Sequence, residues 1–163
     1  MAGTIDRFHQ MLLTMGSDIT YHREGGGEDC PCRTPEGFRD PAWHVQNPEE
    51  PVCNEQGLLN VVVTEFTFKG AIQGAHTRYF RQAMRVDELL GSVERGDKIG
   101  IFPCTWVGNT LDMEGWSDAG EDYLAYDGHR YLVVAADKMP DVDGTTAHHW
   151  ECGLRLIKDE RPL

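Results

Sequence analysis

The fold is decided by residues 123–136, which read Tyr-Leu-Ala-Tyr-Asp-Gly-His-Arg-Tyr-Leu-Val-Val-Ala-Ala. At the centre of this stretch, Asp127-Gly128 separates two runs of aromatic and aliphatic residues. An Asp-Gly pair in such surroundings is a strong short-range signal for a β-hairpin, because both of its positions accept positive φ angles. The stretch therefore predicts antiparallel strands over Tyr123 to Tyr126 and Arg130 to Ala136.

Strand-like segments occur on both sides of this hairpin, bounded by residues typical of turns. The segments are Ser17 to Arg23, Leu58 to Lys69, Lys98 to Phe102 and His148 to Lys158. One amphipathic helix is predicted from Ile5 to Met15, where Thr4 is placed to cap the start and Gly16 to end the helix. The chain is therefore predicted to be mainly β, a small antiparallel β-barrel or sandwich with one short N-terminal helix and a Pro/Cys-rich insertion.

The insertion, residues 24–57, divides the predicted barrel domain into residues 1–23 and 58–163. It opens with three consecutive glycines within its first four residues, contains five prolines, and has neither a helical nor a strand period. An unstructured loop of this length is uncommon inside a compact domain. A further interaction is therefore needed to order it.

Cysteine and histidine residues within the insertion can supply that interaction. Cys30, Cys32, His44 and Cys53 form the Cys3His ligand set of a structural zinc site, and metal-binding energy would become folding energy for the loop. Only one residue separates Cys30 from Cys32, whereas paired zinc ligands commonly have two residues between them. The alternative is therefore that the thiols are unligated and the histidine lies on the surface. A catalytic zinc is not expected, because four protein ligands leave no open position.

Length and composition indicate one soluble globular domain, or one such domain with a small satellite. The chain has 163 residues, of which 40% are hydrophobic and 26% are charged. It contains no apolar run of about 18 residues, so no membrane span is expected, and it begins without the pattern of a secretory signal. Five cysteines in such a chain favour free thiols or metal ligands over a disulfide framework.

The charge is strongly acidic and unevenly distributed. The net charge of −12 comprises −6 in residues 1–59, +1 in residues 60–104 and −7 in residues 105–163. Such a chain does not bind nucleic acid over its whole surface, because phosphate is repelled. One stretch of the sequence is basic, and it is the predicted place for contact with DNA, an acidic partner or a neighbouring subunit. The alternative is that these charges only face solvent, as runs of charged residues commonly do. The members of this stretch are Lys69, His76, Arg78, Arg81 and Arg85.

The motifs of common enzyme classes are absent from the sequence. It has no phosphate-binding glycine loop with lysine, no Gly-x-Ser-x-Gly and no His-Glu-x-x-His. On a strand, His149 and Glu151 would share one face and His148 the other. This constellation is weak evidence for a metal-dependent hydrolase, so an enzyme is not predicted.

Several segments, in their order along the chain, carry a resemblance to a known family. The segments are residues 15–23, Cys30-Pro31-Cys32 through Trp43-His44 to residues 52–57, residues 68–73, 89–91 and 94–103, Asp127-Gly128-x-x-Tyr131-x-Val133, and residues 150–156. In this order they resemble the head-to-tail stopper (head-closure) proteins of long-tailed bacteriophages, particularly those of actinobacterial hosts. The resemblance covers most of the chain.

The resemblance implies a small β-barrel that forms a homo-oligomeric ring, expected to be hexameric, at the head-to-tail interface of the virion. The ring would lie between the portal and adaptor proteins and the tail terminator or tail tube proteins, after assembly in the host bacterial cytoplasm. One loop per subunit, expected within Gly70 to Arg85, would project into the channel and retain packaged double-stranded DNA. Two other functions stay open: an intracellular zinc-containing protein-interaction module that uses residues 24–57, and a metal-dependent hydrolase that uses His148 and His149.

Overall fold

The structure, a computed structural model, describes residues 3–75, 90–91, 94–116 and 122–158. Within these residues the chain forms two α-helices and eight β-strands. The elements are α1 (Thr4–Met15), β1 (Ser17–Asp29), α2 (Pro41–Gln46), β2 (Leu58–Gly74), β3 (Lys98–Pro103), β4 (Thr105–Trp106), β5 (Asn109–Thr110), β6 (Tyr123–Tyr126), β7 (His129–Pro140) and β8 (Ala147–Leu156).

Six of the strands form a closed antiparallel barrel in the order β1-β2-β3-β8-β7-β6, so the predicted mainly β fold is confirmed. Strand β6 closes the barrel by pairing with β1, where Thr20 lies opposite Ala125. The predicted Asp-Gly hairpin is confirmed as well: β6 and β7 pair up to Tyr126 and His129. The φ angles of Asp127 and Gly128 between them are 51° and 75°, as a type I′ turn requires.

The barrel interior is filled by side chains that alternate along each strand. On β8, for example, Trp150, Cys152 and Leu154 are all buried. Glycine makes room for a buried aromatic side chain: a Cβ at Gly70 would lie 2.6 Å from Cδ1 of Phe102. The core cluster consists of Ile19, Tyr21, Phe68, Phe102, Leu111, Met113, Leu124, Tyr131, Val133, Trp150, Cys152 and Leu154.

Helix α1 begins one residue earlier than its apolar pattern indicated. Gly3 occupies the N-cap position, and its N–H donates to Oδ2 of Asp6 at 3.1 Å, so Thr4 is the first helical residue and not the cap. Gly16 ends the helix, as predicted, and its N–H donates to the carbonyl of Leu12 at 2.8 Å. Leu12 is the helical residue that is fully buried.

The chain divides into two compact units. The barrel unit comprises Met1–His22 and Glu65–Leu163, and the cysteine unit comprises Arg23–Thr64, which includes the predicted insertion. Strands β1 and β2 contribute residues to both units.

The cysteine unit contains regular structure that the sequence pattern did not indicate. Strand β1 continues through the three glycines to Asp29, and α2 occupies Pro41–Gln46. The glycines have no side chains with which to show a period of two, which is why the pattern missed the strand. They also allow a close approach between strands, since a Cβ at Gly27 would lie 3.1 Å from Cγ2 of Val61.

Candidate metal centre

Local hydrogen bonds bring the two ends of the cysteine-rich loop together. The Cys30 N–H donates to the carbonyl of Gly57 at 2.8 Å, and the Asp40 N–H donates to the carbonyl of Cys32 at 3.1 Å. Asp40 also caps α2, because its Oδ1 accepts from the Ala42 N–H at 3.0 Å, and proline occupies the first helical position. These contacts start the helix at the point that places His44 beside the cysteines.

The four predicted ligand atoms converge. They all lie within 4.8 Å of one another. His44 Nε2 is 3.5 Å from Sγ of Cys30 and 3.3 Å from Sγ of Cys53, and Sγ of Cys32 is 3.4 Å from Sγ of Cys53. The three cysteines are buried and are free thiols, so the group is close enough to bind a metal ion.

Hydrogen bonds within the cluster make the pKa values of Cys30 and Cys32 differ. Burial raises the pKa of Cys30, but hydrogen bonds from the Cys32 backbone and from the Cys32 and Cys53 thiols outweigh burial and leave that pKa below its ordinary value. Burial raises the pKa of Cys32 to about 11, and its contacts with the other two thiols act in the same direction. The Cys30 thiol is thus more acidic than the Cys32 thiol, and binding of a metal ion must displace the proton of Cys32.

Two apolar side chains pack against the cysteine cluster. Trp43 and Leu59 are partly buried against it. The Trp43 and His44 rings meet edge to face with centroids 5.1 Å apart, and the side-chain amide of Asn47 donates to the Trp43 carbonyl at 2.8 Å. Among the described residues, this cluster is the one place where three or more potential ligands lie close enough together to hold a metal ion.

Most of the predicted basic contact residues lie outside the described residues, namely His76, Arg78, Arg81 and Arg85. Their predicted role therefore stays a prediction. Lys69 is described, and its Nζ forms an ion pair with Oδ1 of Asp18 at 2.9 Å. Its charge is thus partly neutralised within the barrel unit.

Sequence reasoning missed the buried carboxylate at the base of the β2–β3 connection. Asp97 follows Gly96 in the turn before β3, yet it is 2% exposed, and its Oδ2 accepts from the Glu94 N–H at 2.8 Å and from Nη2 of Arg155 at 3.4 Å. Nearby, Ala75 and Leu90 are buried against Ile99. A Gly-Asp pair is such a common turn signal that it concealed the burial of this carboxylate.

The two adjacent histidines on β8 meet each other instead of facing apart. Nδ1 of His148 is 2.8 Å from Nδ1 of His149, and Nε2 of His149 is 3.5 Å from Oε1 of Glu151. The pairing of β7 with β8 is irregular at this point, which relaxes the alternation of faces. Phe8 covers both rings at centroid distances of 5.0 and 5.6 Å. Burial lowers the pKa of His149, and the neighbouring His148 lowers it further, against the effect of Glu151.

Comparison with protein-family models, with curated proteins and with solved structures finds no match to this chain. Neither of the described helices is long and apolar enough to cross a membrane.

Proposed function

We propose that this chain is a non-enzymatic structural subunit of the head-to-tail connector of a long-tailed bacteriophage, a stopper ring that joins the portal and adaptor proteins to the tail. One observation carries the proposal. Four of the segments that carry the resemblance fall, wholly or in part, on four adjacent strands of one closed barrel, in the order β2, β3, β8 and β7. The residues on these strands are 68–73, 98–103, 150–156, and Tyr131 with Val133.

The charge distribution supports a channel role. Most of the acidic charge lies outside residues 60–104. If these acidic residues lined the channel of the proposed ring, they would repel DNA and let it slide through. The connection that carries His76, Arg78, Arg81 and Arg85 begins after Ala75, and its far end lies beside Leu90, both of which are buried. A basic segment whose two flanking residues are buried suits a contact with packaged DNA or with a neighbouring ring.

Electron microscopy of necks from purified phage particles tests this proposal. We expect density for this chain as a ring, expected to be hexameric, between the adaptor and the tail. Particles produced without the protein should have heads that neither retain DNA nor attach tails, and supplying the wild-type protein should restore both. Absence of the chain from infectious particles would contradict the proposal.

We also propose that Cys30, Cys32, His44 and Cys53 hold one structural Zn²⁺ ion. With Zn–S about 2.3 Å and Zn–N about 2.0–2.1 Å, a tetrahedral site separates two sulfurs by about 3.8 Å and a sulfur from a nitrogen by about 3.5 Å. Three of the six ligand–ligand distances, namely an S–S distance of 3.4 Å and S–N distances of 3.3 and 3.5 Å, are close to these values, and all six lie within 4.8 Å. Four protein ligands leave no position for substrate, so the ion would order the cysteine unit and would not act in catalysis.

A further inference from the structure

A solvent-exposed groove lies between α1 and the β4–β5 hairpin of the barrel unit. Its volume is about 460 Å³, within the range of small binding pockets. Both walls leave apolar surface open to solvent, since the side chains of Leu13 and Val107 are 55% and 88% exposed. The residues that line the groove are Asp6, His9, Gln10, Leu13, Trp106 and Val107.

The charge of the groove favours a cation. Among the residues that line it, Asp6 is the one acid, and none is a lysine or an arginine. Asp6 Oδ2 accepts from the Gly3 N–H at 3.1 Å, and a carboxylate can accept about four hydrogen bonds, so it can still bind a ligand. The net charge of −12 also attracts cations to the chain. The groove is therefore suited to a positively charged partner.

Trp106 supplies an aromatic surface for such a cation. Its side chain is partly buried against the barrel core, and the His9 ring contacts it with centroids 5.6 Å apart and planes inclined at 67°. These contacts hold the indole in the wall of the groove. A cation over the face of a tryptophan ring is attracted by the ring electrons, and a planar guanidinium stacks there better than an ammonium group. A carboxylate in the same groove can bind a guanidinium through two parallel hydrogen bonds.

The backbone is strained at one residue of the groove wall. Val107 and Gly108 form the tip of the β4–β5 hairpin, with φ angles of 47° and 80°. A β-branched residue with positive φ is an outlier, and such strain is typical of functional sites. Asparagine would suit this turn better and would be better solvated. The retained valine points to an apolar contact with a bound group.

The groove is too open for a free small molecule. Small-molecule sites bury about 70–90% of the ligand surface, whereas both apolar wall residues of this groove are mostly exposed. A side chain that projects from a protein needs less enclosure, because the surface of that protein covers its outer side. Arginine is also enriched among the residues that dominate protein–protein contacts.

We infer that the groove binds an arginine side chain of a partner protein. The guanidinium lies between Asp6 and Trp106, and the aliphatic stem of the arginine lies against Leu13 and Val107. The inference goes beyond the proposed function and does not depend on it, because the test uses the isolated protein and needs no phage particle.

NMR titration with capped tripeptides tests the inference. The probe is acetyl-Ala-Arg-Ala-amide, and its matched control carries citrulline, which has nearly the same shape as arginine but no charge. The arginine peptide should bind with a Kd of about 1–10 mM. It should also shift the indole N–H signal of Trp106, which is assigned by its loss in Trp106→Phe. The citrulline peptide, the lysine peptide and methylguanidinium should each bind at least about threefold more weakly.

Single variants locate the site. Asp6→Asn keeps an acceptor for the Gly3 N–H but loses the charge, so binding of the arginine peptide should weaken about threefold. Asp141→Asn is the matched control: it makes the same change outside the groove, keeps an acceptor for the Val142 N–H, and should bind like wild type. Val107→Asn should raise the Tm by about 2–4 °C because it relieves strain, yet weaken binding at least about twofold.

Four outcomes overturn the inference. The first is equal affinity for the arginine peptide and either the citrulline or the lysine peptide. The second is wild-type affinity in Asp6→Asn or in Val107→Asn, and the third is a loss of affinity in Asp141→Asn as large as that in Asp6→Asn. The fourth is binding of methylguanidinium as tight as that of the arginine peptide, since the groove would then be a site for small cations. Thermal melting of each variant separates a lost contact from a lost fold.

Discussion

Replacement of Cys53 by serine should abolish stoichiometric zinc binding and open the cysteine unit. Cys53 Sγ lies 3.3 Å from His44 Nε2 and 3.4 Å from Cys32 Sγ, so this sulfur forms close contacts with two of the other three proposed ligands. A serine hydroxyl stays protonated at neutral pH and is a poor zinc ligand. We expect the other three ligands to retain the metal only weakly.

The expected destabilisation of the cysteine unit is large because the unit has few other stabilising contacts. Trp43 and Leu59 pack on the cluster but are only partly buried, and a fully buried side chain of this kind contributes only about 1.5–3 kcal/mol. A structural zinc ion contributes about 10–16 kcal/mol in zinc-finger peptides. If Cys53→Ser removes only a quarter of the lower value, about 2.5 kcal/mol, the fraction of molecules with an open cysteine unit rises about 70-fold.

Limited trypsin digestion measures this opening, because Arg33 and Arg39 are cleavage sites within the loop. Digestion at these sites should accelerate by about the same factor while the barrel stays intact. Metal content is measured on the same samples. Cys104→Ser is the matched control, since Cys104 is a free thiol outside the cluster. The reasoning is refuted if the Cys53→Ser protein binds stoichiometric zinc. It is also refuted if wild-type protein without bound metal resists trypsin as well as wild-type protein with zinc.

Three further predictions concern the barrel unit. Asp97→Ala should lower the free energy of unfolding by about 2–3 kcal/mol in urea titrations, because it removes the buried carboxylate that accepts from the Glu94 N–H and from Nη2 of Arg155; a loss below about 0.5 kcal/mol would show that the ion pair is incidental. Trp150→Phe should cost about 2–4 kcal/mol, since it removes the 3.0 Å hydrogen bond from the indole to the Leu111 carbonyl and leaves a cavity, and an unchanged melting temperature would contradict this. The lowered pKa of His149 should stabilise the protein above pH 6.5, and this contribution should be lost progressively as the pH falls below that value; His149→Gln should flatten this part of the stability profile, and a variant with the wild-type slope would exclude His149 as the titrating group.

The features that could be predicted from the sequence are those with a local physical cause. The hairpin at Asp127-Gly128 was predicted because positive φ angles are required at both positions of its turn. The metal ligands were predicted from residue type alone, although the spacing of Cys30 and Cys32 did not favour them. Their convergence depends on α2 and on the closing hydrogen bond between Cys30 and Gly57, and neither has a periodic signal.

Other features could not be predicted because they depend on tertiary contacts. The β4–β5 hairpin turns at Val107-Gly108, and valine is not a turn residue, so its strain is visible only in the structure. The burial of Asp97 depends on Arg155, which is 58 residues away in the chain. The contact between His148 and His149 depends on the irregular pairing of β7 with β8.

Closure of the barrel by β6 against β1 has a consequence for the order of folding. Thr20 pairs with Ala125, and Lys98 pairs with Leu154, so the barrel cannot close until β8, near the end of the chain, has been synthesised. The β6-β7-β8 meander has much shorter loops and should form first, since loop closure disfavours distant contacts. All four cysteine-unit ligands lie within residues 30–53. That unit could therefore bind the proposed metal ion on the nascent chain, before the barrel beside it in the sequence has closed.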